Sequence, residues 1–190
     1  MASILALVIA FVAGYAVGSV PLAGWVARTA GVDPDREGGR NPGVAGVWRL
    51  AGPGWGFLAL VADLSKGVLP VAIATVTWSW DAGWATGLGA LLGACWPALG
   101  RLPGDRGVAV LAGAAFALAP PAGILDVLLA LAVAGGARIL GRNGPRAALA
   151  AGIGVYPVLF HVAHADLARL AGLMALYLVA AVRFVTARRR

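Results

Sequence analysis

Two short stretches set arginines among glycines in a chain that is otherwise poor in charge. The first, DPDREGGRNPG at residues 33–43, gathers Asp33, Asp35, Arg36, Glu37, Arg40 and Asn41 around Gly38, Gly39 and Gly43, and Arg49 closes it downstream. The second, GRLPGDRG at residues 100–107, does the same with Arg101, Asp105 and Arg106. Glycine admits positive φ and a close backbone approach, so successive N–H groups can converge on an anion. Arginine adds a planar fork that matches phosphate oxygens. In GDRG, residues 104–107, the glycines Gly104 and Gly107 bracket the start of a predicted helix. There the backbone donors and the helix dipole favour a bound anion, with Arg106 supplying a full charge. The chemistry these residues suit is the holding of phosphate groups. Each stretch also has a plainer reading, the first as an ordinary basic loop and the second as a helix start touching lipid headgroups.

A third group lies inside an apolar run. Asp63 and Lys66 in GFLALVADLSKGVLPVA stand three apart, on one helical face and close enough to neutralise each other. An ionisable side chain in such a run is costly and suggests function. The alternative is a structural pair near the interface, since the apolar run exceeds one bilayer crossing. His161, His164 and Asp166 are metal-ligand types, but they fall at the end away from the basic loops, so no metal site is expected. Asp126 faces either a helix interface or a cavity.

The elements that must position these residues follow from composition. The chain has 190 residues, of which 61% are hydrophobic and 12% charged, too apolar for a water-soluble surface. The expected fold class is all-α, a polytopic membrane helical bundle forming a single integral-membrane domain over residues 1–190, with a first span that is retained and not cleaved. Seven spans are predicted, at 3–25, 53–77, 83–100, 106–119, 121–140, 146–162 and 167–187. With seven alternating spans, Arg28, Arg36, Arg40, Arg49, Arg101, Arg106, Arg138, Arg142, Arg146, Arg183 and Arg188 to Arg190 fall on one side. By the positive-inside rule that side is cytoplasmic, the N-terminus is outside and Trp78, Trp80 and Trp84 form an outer aromatic belt. The same bookkeeping explains the net charge of +7 without nucleic acid as a partner. Residues 27–49 read as an interspan loop. Gly14/Gly18, Gly83/Gly87 and Gly89/Gly93 have the spacing that lets membrane helices approach backbone to backbone. The lone Cys95 reads as inert packing.

Taken in order, GYAVGSVP, GGRNPGVAGVWR, DLSKGVLPV and GACWPALGRLPGDRGVAV resemble the PlsY-type membrane glycerol-3-phosphate acyltransferases over about residues 14–120. The resemblance implies a seven-span bundle with its active site at the cytoplasmic membrane face. It also implies acyl phosphate and glycerol 3-phosphate as substrates, membrane lipids as surroundings, lysophosphatidate as product, a role in phospholipid biosynthesis, and no cofactor. By position it implies Asn41, Arg49 and Lys66 as catalytic, and Arg40, Gly43, Asp63, Gly104, Arg106 and Gly107 as substrate- or phosphate-binding. Arg106 stands where the family has a lysine. Gly39, Ala45, Gly46 and Ala94 stand where it has serine, threonine, asparagine and histidine, and Asp105 adds a negative charge to the phosphate loop. These departures leave a second expectation open, a catalytically inactive relative that binds lipid or a partner. A small transporter lacks its expected signature of matching broken helices in two halves.

Overall fold

Ser3 starts the first helix, its Oγ accepting the Ala6 N–H at 3.2 Å, and α1 runs Ile4–Gly18. Pro21 has no N–H to continue the ladder, and Ser19 turns its hydroxyl back onto the Tyr15 carbonyl at 2.7 Å. The predicted span 3–25 is therefore broken at Ser19–Pro21 and resumes as α2, Leu22–Thr29. The computed structural model describes residues 3–33, 43–98 and 107–118, with 178, 179 and 182. Within these it continues with α3 (Gly43–Ala51), α4 (Pro53–Thr77), α5 (Trp80–Cys95) and α6 (Val108–Leu118). Every described element is helical. Pro53 occupies the first turn of α4, where a missing N–H costs nothing, and Ser79 caps α5 by accepting the Ala82 N–H at 3.1 Å.

The predicted span 53–77 coincides with α4, and 106–119 with α6 to within two residues at each end. The span at 83–100 starts earlier, at the Ser79 cap, and stops at Cys95 because the residue before Pro97 is driven out of the helical region. The reading of 27–49 as a loop is corrected: α2 reaches Thr29 and α3 begins at Gly43. Both are short helices that bury one face and expose the other, so neither produces a long apolar run. The predicted spans 121–140, 146–162 and 167–187 lie outside the described residues, apart from Leu178, Val179 and Val182.

Glycines set the packing. A Cβ on Gly14 or Gly18 would strike the backbone of Thr86 or Ala90 in α5, and one on Gly89 or Gly93 would strike that of Phe11 or Tyr15 in α1. The contacts advance in the same sense on both helices, so α1 and α5 run parallel. Gly67 of α4 meets Val110 and Ala114, while Gly113 of α6 meets Leu64 and Val68, so these two helices also cross closely. Gly83 faces Thr75 and Leu118, and Gly87 faces Val71 and Ala114, so α5 runs against both, which makes α4 and α6 a second parallel pair. The core where they meet holds Val71, Leu91, Cys95, Leu111, Ala114, Ala115 and Leu118. Ala23 and Ala27 of α2, Val47 of α3 and Ala59 of α4 form a second cluster beside it.

These directions bring the α1–α2 break, α3, the start of α4, the end of α5 and the start of α6 to one end of the bundle. Trp25, Trp48, Trp55 and Trp96 are exposed there, whereas Trp78, Trp80 and Trp84 belong to the opposite end. Such tryptophan zones at both ends suit two membrane–water interfaces. The stretch Ile4–Thr29, α1 with α2, and α4 are each long and apolar enough to cross a membrane.

Candidate active site

Asp63 and Lys66 face the same way from α4, one turn apart, and both are buried, Asp63 at 1% and Lys66 at 5% exposure. Their Oδ1 and Nζ atoms form an ion pair at 2.7 Å. The Lys66 ammonium has a further partner far away in sequence, donating to the Val20 carbonyl at 3.1 Å. That carbonyl lies in the α1–α2 break, where the Leu22 N–H also reaches it at 3.0 Å. A peptide carbonyl released from a helix inside a bilayer must find a donor, and Lys66 provides one. Four residues after Lys66, Pro70 has no N–H to offer the Lys66 carbonyl, which leaves a gap in the α4 ladder just beyond the ion pair.

Gly107 introduces α6 at the same end. It is buried, its φ is 70°, and its carbonyl accepts the Leu111 N–H at 2.8 Å to begin the helix. A Cβ there would come within 2.6 Å of Leu91 Cδ1 and 3.0 Å of Cys95 Sγ, so the tight approach to α5 and the left-handed backbone both require glycine. The N–H groups of the first turn of α6 have no acceptor within that helix, and they sit at the positive end of its dipole. Gly43 begins α3 in similar fashion, buried and with φ of 56°. Arg49 lies in the last turn of α3 and is exposed, next to the half-exposed Trp48.

Ala94, at the position where the resembled family has a histidine, is buried in a small cluster with Ala90 and Val110. A methyl group fits that close contact between α5 and α6. Of the other departures from the family pattern, Ala45 is exposed on α3 and Gly46 is buried against the bundle. Arg40, Asn41, Gly104 and Arg106 lie outside the described residues, as do Gly39, Arg101, Asp105, Asp126, His161, His164 and Asp166. Among the described residues, the structure brings Asp63 and Lys66 together and puts Gly107 and Arg49 at the same end of the bundle.

Three residues of this region were given no role from sequence: Tyr15, Ser19 and Val20. Ser19 is buried and bonds the Tyr15 carbonyl, and the Tyr15 hydroxyl donates to the Trp96 carbonyl at 2.7 Å. Their signal was the proline interrupting an apolar helix in GYAVGSVP, since such a break frees carbonyls that something must satisfy.

The fold is that of a helical integral-membrane protein. It superposes on a crystal structure of PlsY (YgiH), an integral membrane glycerol 3-phosphate acyltransferase, in its glycerol 3-phosphate form, with a TM-score of 0.79 and 25% identity over 97% of this chain and 90% of that one. The lysophosphatidic acid form of the same enzyme gives a TM-score of 0.80 with the same coverage. A profile of the glycerol-3-phosphate acyltransferase family matches residues 8–190, and the chain belongs to that family. Proteins named glycerol-3-phosphate acyltransferase are similar to it: 43% identity over 113 residues in Rubrobacter xylanophilus, 38% over 122 in Methylococcus capsulatus and 38% over 144 in Erythrobacter litoralis. The aligned segments cover 58%, 63% and 75% of this chain, and 56%, 62% and 73% of those relatives.

Proposed function

We propose that this protein is a membrane acyltransferase that moves an acyl group from acyl phosphate to glycerol 3-phosphate, forming lysophosphatidate for phospholipid synthesis. The observation that carries the proposal is the family match over residues 8–190, joined to a fold shared with an enzyme crystallised with glycerol 3-phosphate and with lysophosphatidic acid. The acceptor hydroxyl attacks the acyl carbonyl, the tetrahedral oxyanion collapses, and inorganic phosphate leaves with the proton. Because the donor is already activated, the protein has mainly to hold two phosphates, aim the hydroxyl and stabilise the oxyanion.

Arg106, Gly104 and the Gly107 backbone take one phosphate, with the first turn of α6 behind them. Arg49, Arg40 and the Gly43 turn take the other, and Asn41 orients the attacking hydroxyl. Lys66 contributes a fixed positive charge beside the site, held by Asp63. Seven spans with the N-terminus outside put this end of the bundle at the cytoplasmic face, where phosphorylated soluble substrates are available. The alanine at position 94 and glycine at position 46 remove side-chain donors, so backbone N–H groups and arginines carry more of the binding.

Purified protein in detergent with acyl phosphate and glycerol 3-phosphate, assayed by mass detection of lysophosphatidate, tests the reading. Turnover is expected, with a loss of about a hundredfold in Arg106→Ala and in Arg49→Ala. Unaltered turnover in Arg106→Ala removes the phosphate-loop assignment. The absence of product in the parent protein returns the chain to an inactive, lipid- or partner-binding relative.

A further inference from the structure

The hydroxyl of Tyr15 crosses from α1 to take the Trp96 carbonyl, 81 residues away in sequence. Trp96 is the residue on which α5 ends. Its N–H still bonds the Leu92 carbonyl at 2.8 Å, but with φ of −136° and ψ of 76° it has left the helix ahead of Pro97. The same last turn of α5 supplies Leu91 and Cys95, the two side chains that crowd the missing Cβ of Gly107. Gly107 in turn carries the first hydrogen bond of α6. A continuous path of contacts therefore runs from the Tyr15 hydroxyl, through the end of α5, to the start of α6.

The other end of the same α1 turn reaches the second half of the site. Ser19 bonds the Tyr15 carbonyl, and the next residue, Val20, offers its carbonyl to Lys66. The close glycine contacts of Gly89 and Gly93 with Phe11 and Tyr15 leave α1 little freedom to slide along α5, so the hydroxyl meets its acceptor in one register.

We propose that Tyr15 is a positioning residue for the acyltransfer site: by holding the Trp96 carbonyl it fixes the end of α5, and through Leu91 and Cys95 the place of Gly107 and the first turn of α6. The inference rests on the acyltransferase reading for its kinetic consequence, but not for its structural one. Loss of the hydroxyl leaves the ring and its packing in place and removes the hydrogen bond that ties the end of α5 to α1. The end of α5 then shifts, and Gly107 shifts with it. A displacement on the order of 1 Å at a phosphate-holding turn is enough to cost up to about a hundredfold in rate.

The experiment compares purified Tyr15→Phe with the parent protein and with Thr77→Val. The control removes a hydroxyl that, among the described residues, bonds its own helix at the Ile73 carbonyl, at the opposite end of the bundle. In Tyr15→Phe, kcat/KM is expected to fall roughly tenfold or more, chiefly through a higher KM for one of the phosphate-bearing substrates, with a thermal midpoint matching that of Thr77→Val. Cys95, the chain's single cysteine, is expected to react with N-ethylmaleimide several-fold faster than in the parent, because it lies in the released turn. A kcat/KM within twofold of the parent overturns the proposal, as does a fall in kcat at constant KM with a lowered thermal midpoint. An alkylation rate equal to the parent's overturns it whatever the kinetics. If the parent itself does not turn over, the acyltransferase reading fails separately and the alkylation rates alone decide.

Discussion

Asp63 and Lys66 show why a buried ion pair can be expensive and still persist. Removing one partner leaves an uncompensated charge, at a cost of about 3 to 5 kcal/mol, whereas replacing both with apolar groups of similar volume is often close to neutral. Lys66→Met is therefore expected to lower the thermal midpoint of the purified protein sharply. Asp63→Leu combined with Lys66→Met should recover most of that loss, since the Leu22 N–H remains on the Val20 carbonyl. If the double variant is as unstable as the single, the pair is not the source of the cost. Gly107 makes a second prediction at this scale. Gly107→Ala forces a side chain into left-handed backbone and against Leu91 and Cys95, and is expected to cost about 1 to 3 kcal/mol in the same measurement.

At the scale of elements, the helices approach through small residues, because lipid gives them no hydrophobic reason to associate. Gly93→Val puts two methyl groups where the Tyr15 and Ser19 backbone lies, so α1 and α5 must separate and little folded protein should be recovered in detergent. Gly54→Ala is the contrast. Nothing lies within 4 Å of its added carbon, and alanine favours the helix, so stability should be unchanged or raised by up to about 1 kcal/mol. Equal recovery of the two variants by size-exclusion chromatography contradicts this account of the packing.

Some of this was legible in sequence and some was not. The apolar run of α4, the three-residue spacing of Asp63 and Lys66, and the glycine pairs are local patterns, and local patterns can be read directly. The α1–α2 break has its signal in Pro21, but the apolar run continues on both sides of it, so hydropathy alone reads one span. α3 was missed because nine residues hold too few turns to show a face among so many glycines. The bonds from Tyr15 to Trp96 and from Lys66 to Val20 join positions 81 and 46 residues apart, and each ends on a backbone carbonyl whose residue type carries no signal. The resemblance pointed to the right family, but not to the contacts that join its motifs.

At the scale of the whole molecule, alternating helix direction is the organising fact. α1 and α5 run one way, α4 and α6 the other, and the described parts of the candidate site collect where α1 and α5 end and α6 begins, beside Asp63 and Lys66 on the middle of α4. In a Cys95→Ala background, single cysteines at positions 28 and 78 should label from opposite sides of sealed inverted vesicles, position 28 from the cytoplasmic side. Labelling of both from one side contradicts the proposed topology. The most direct test of acyl transfer is the product balance of the purified protein with acyl phosphate and glycerol 3-phosphate. Lysophosphatidate and inorganic phosphate are expected to appear one for one, at a rate that depends on both substrates. Phosphate release at the same rate without glycerol 3-phosphate, or no lysophosphatidate above a protein-free blank, contradicts it.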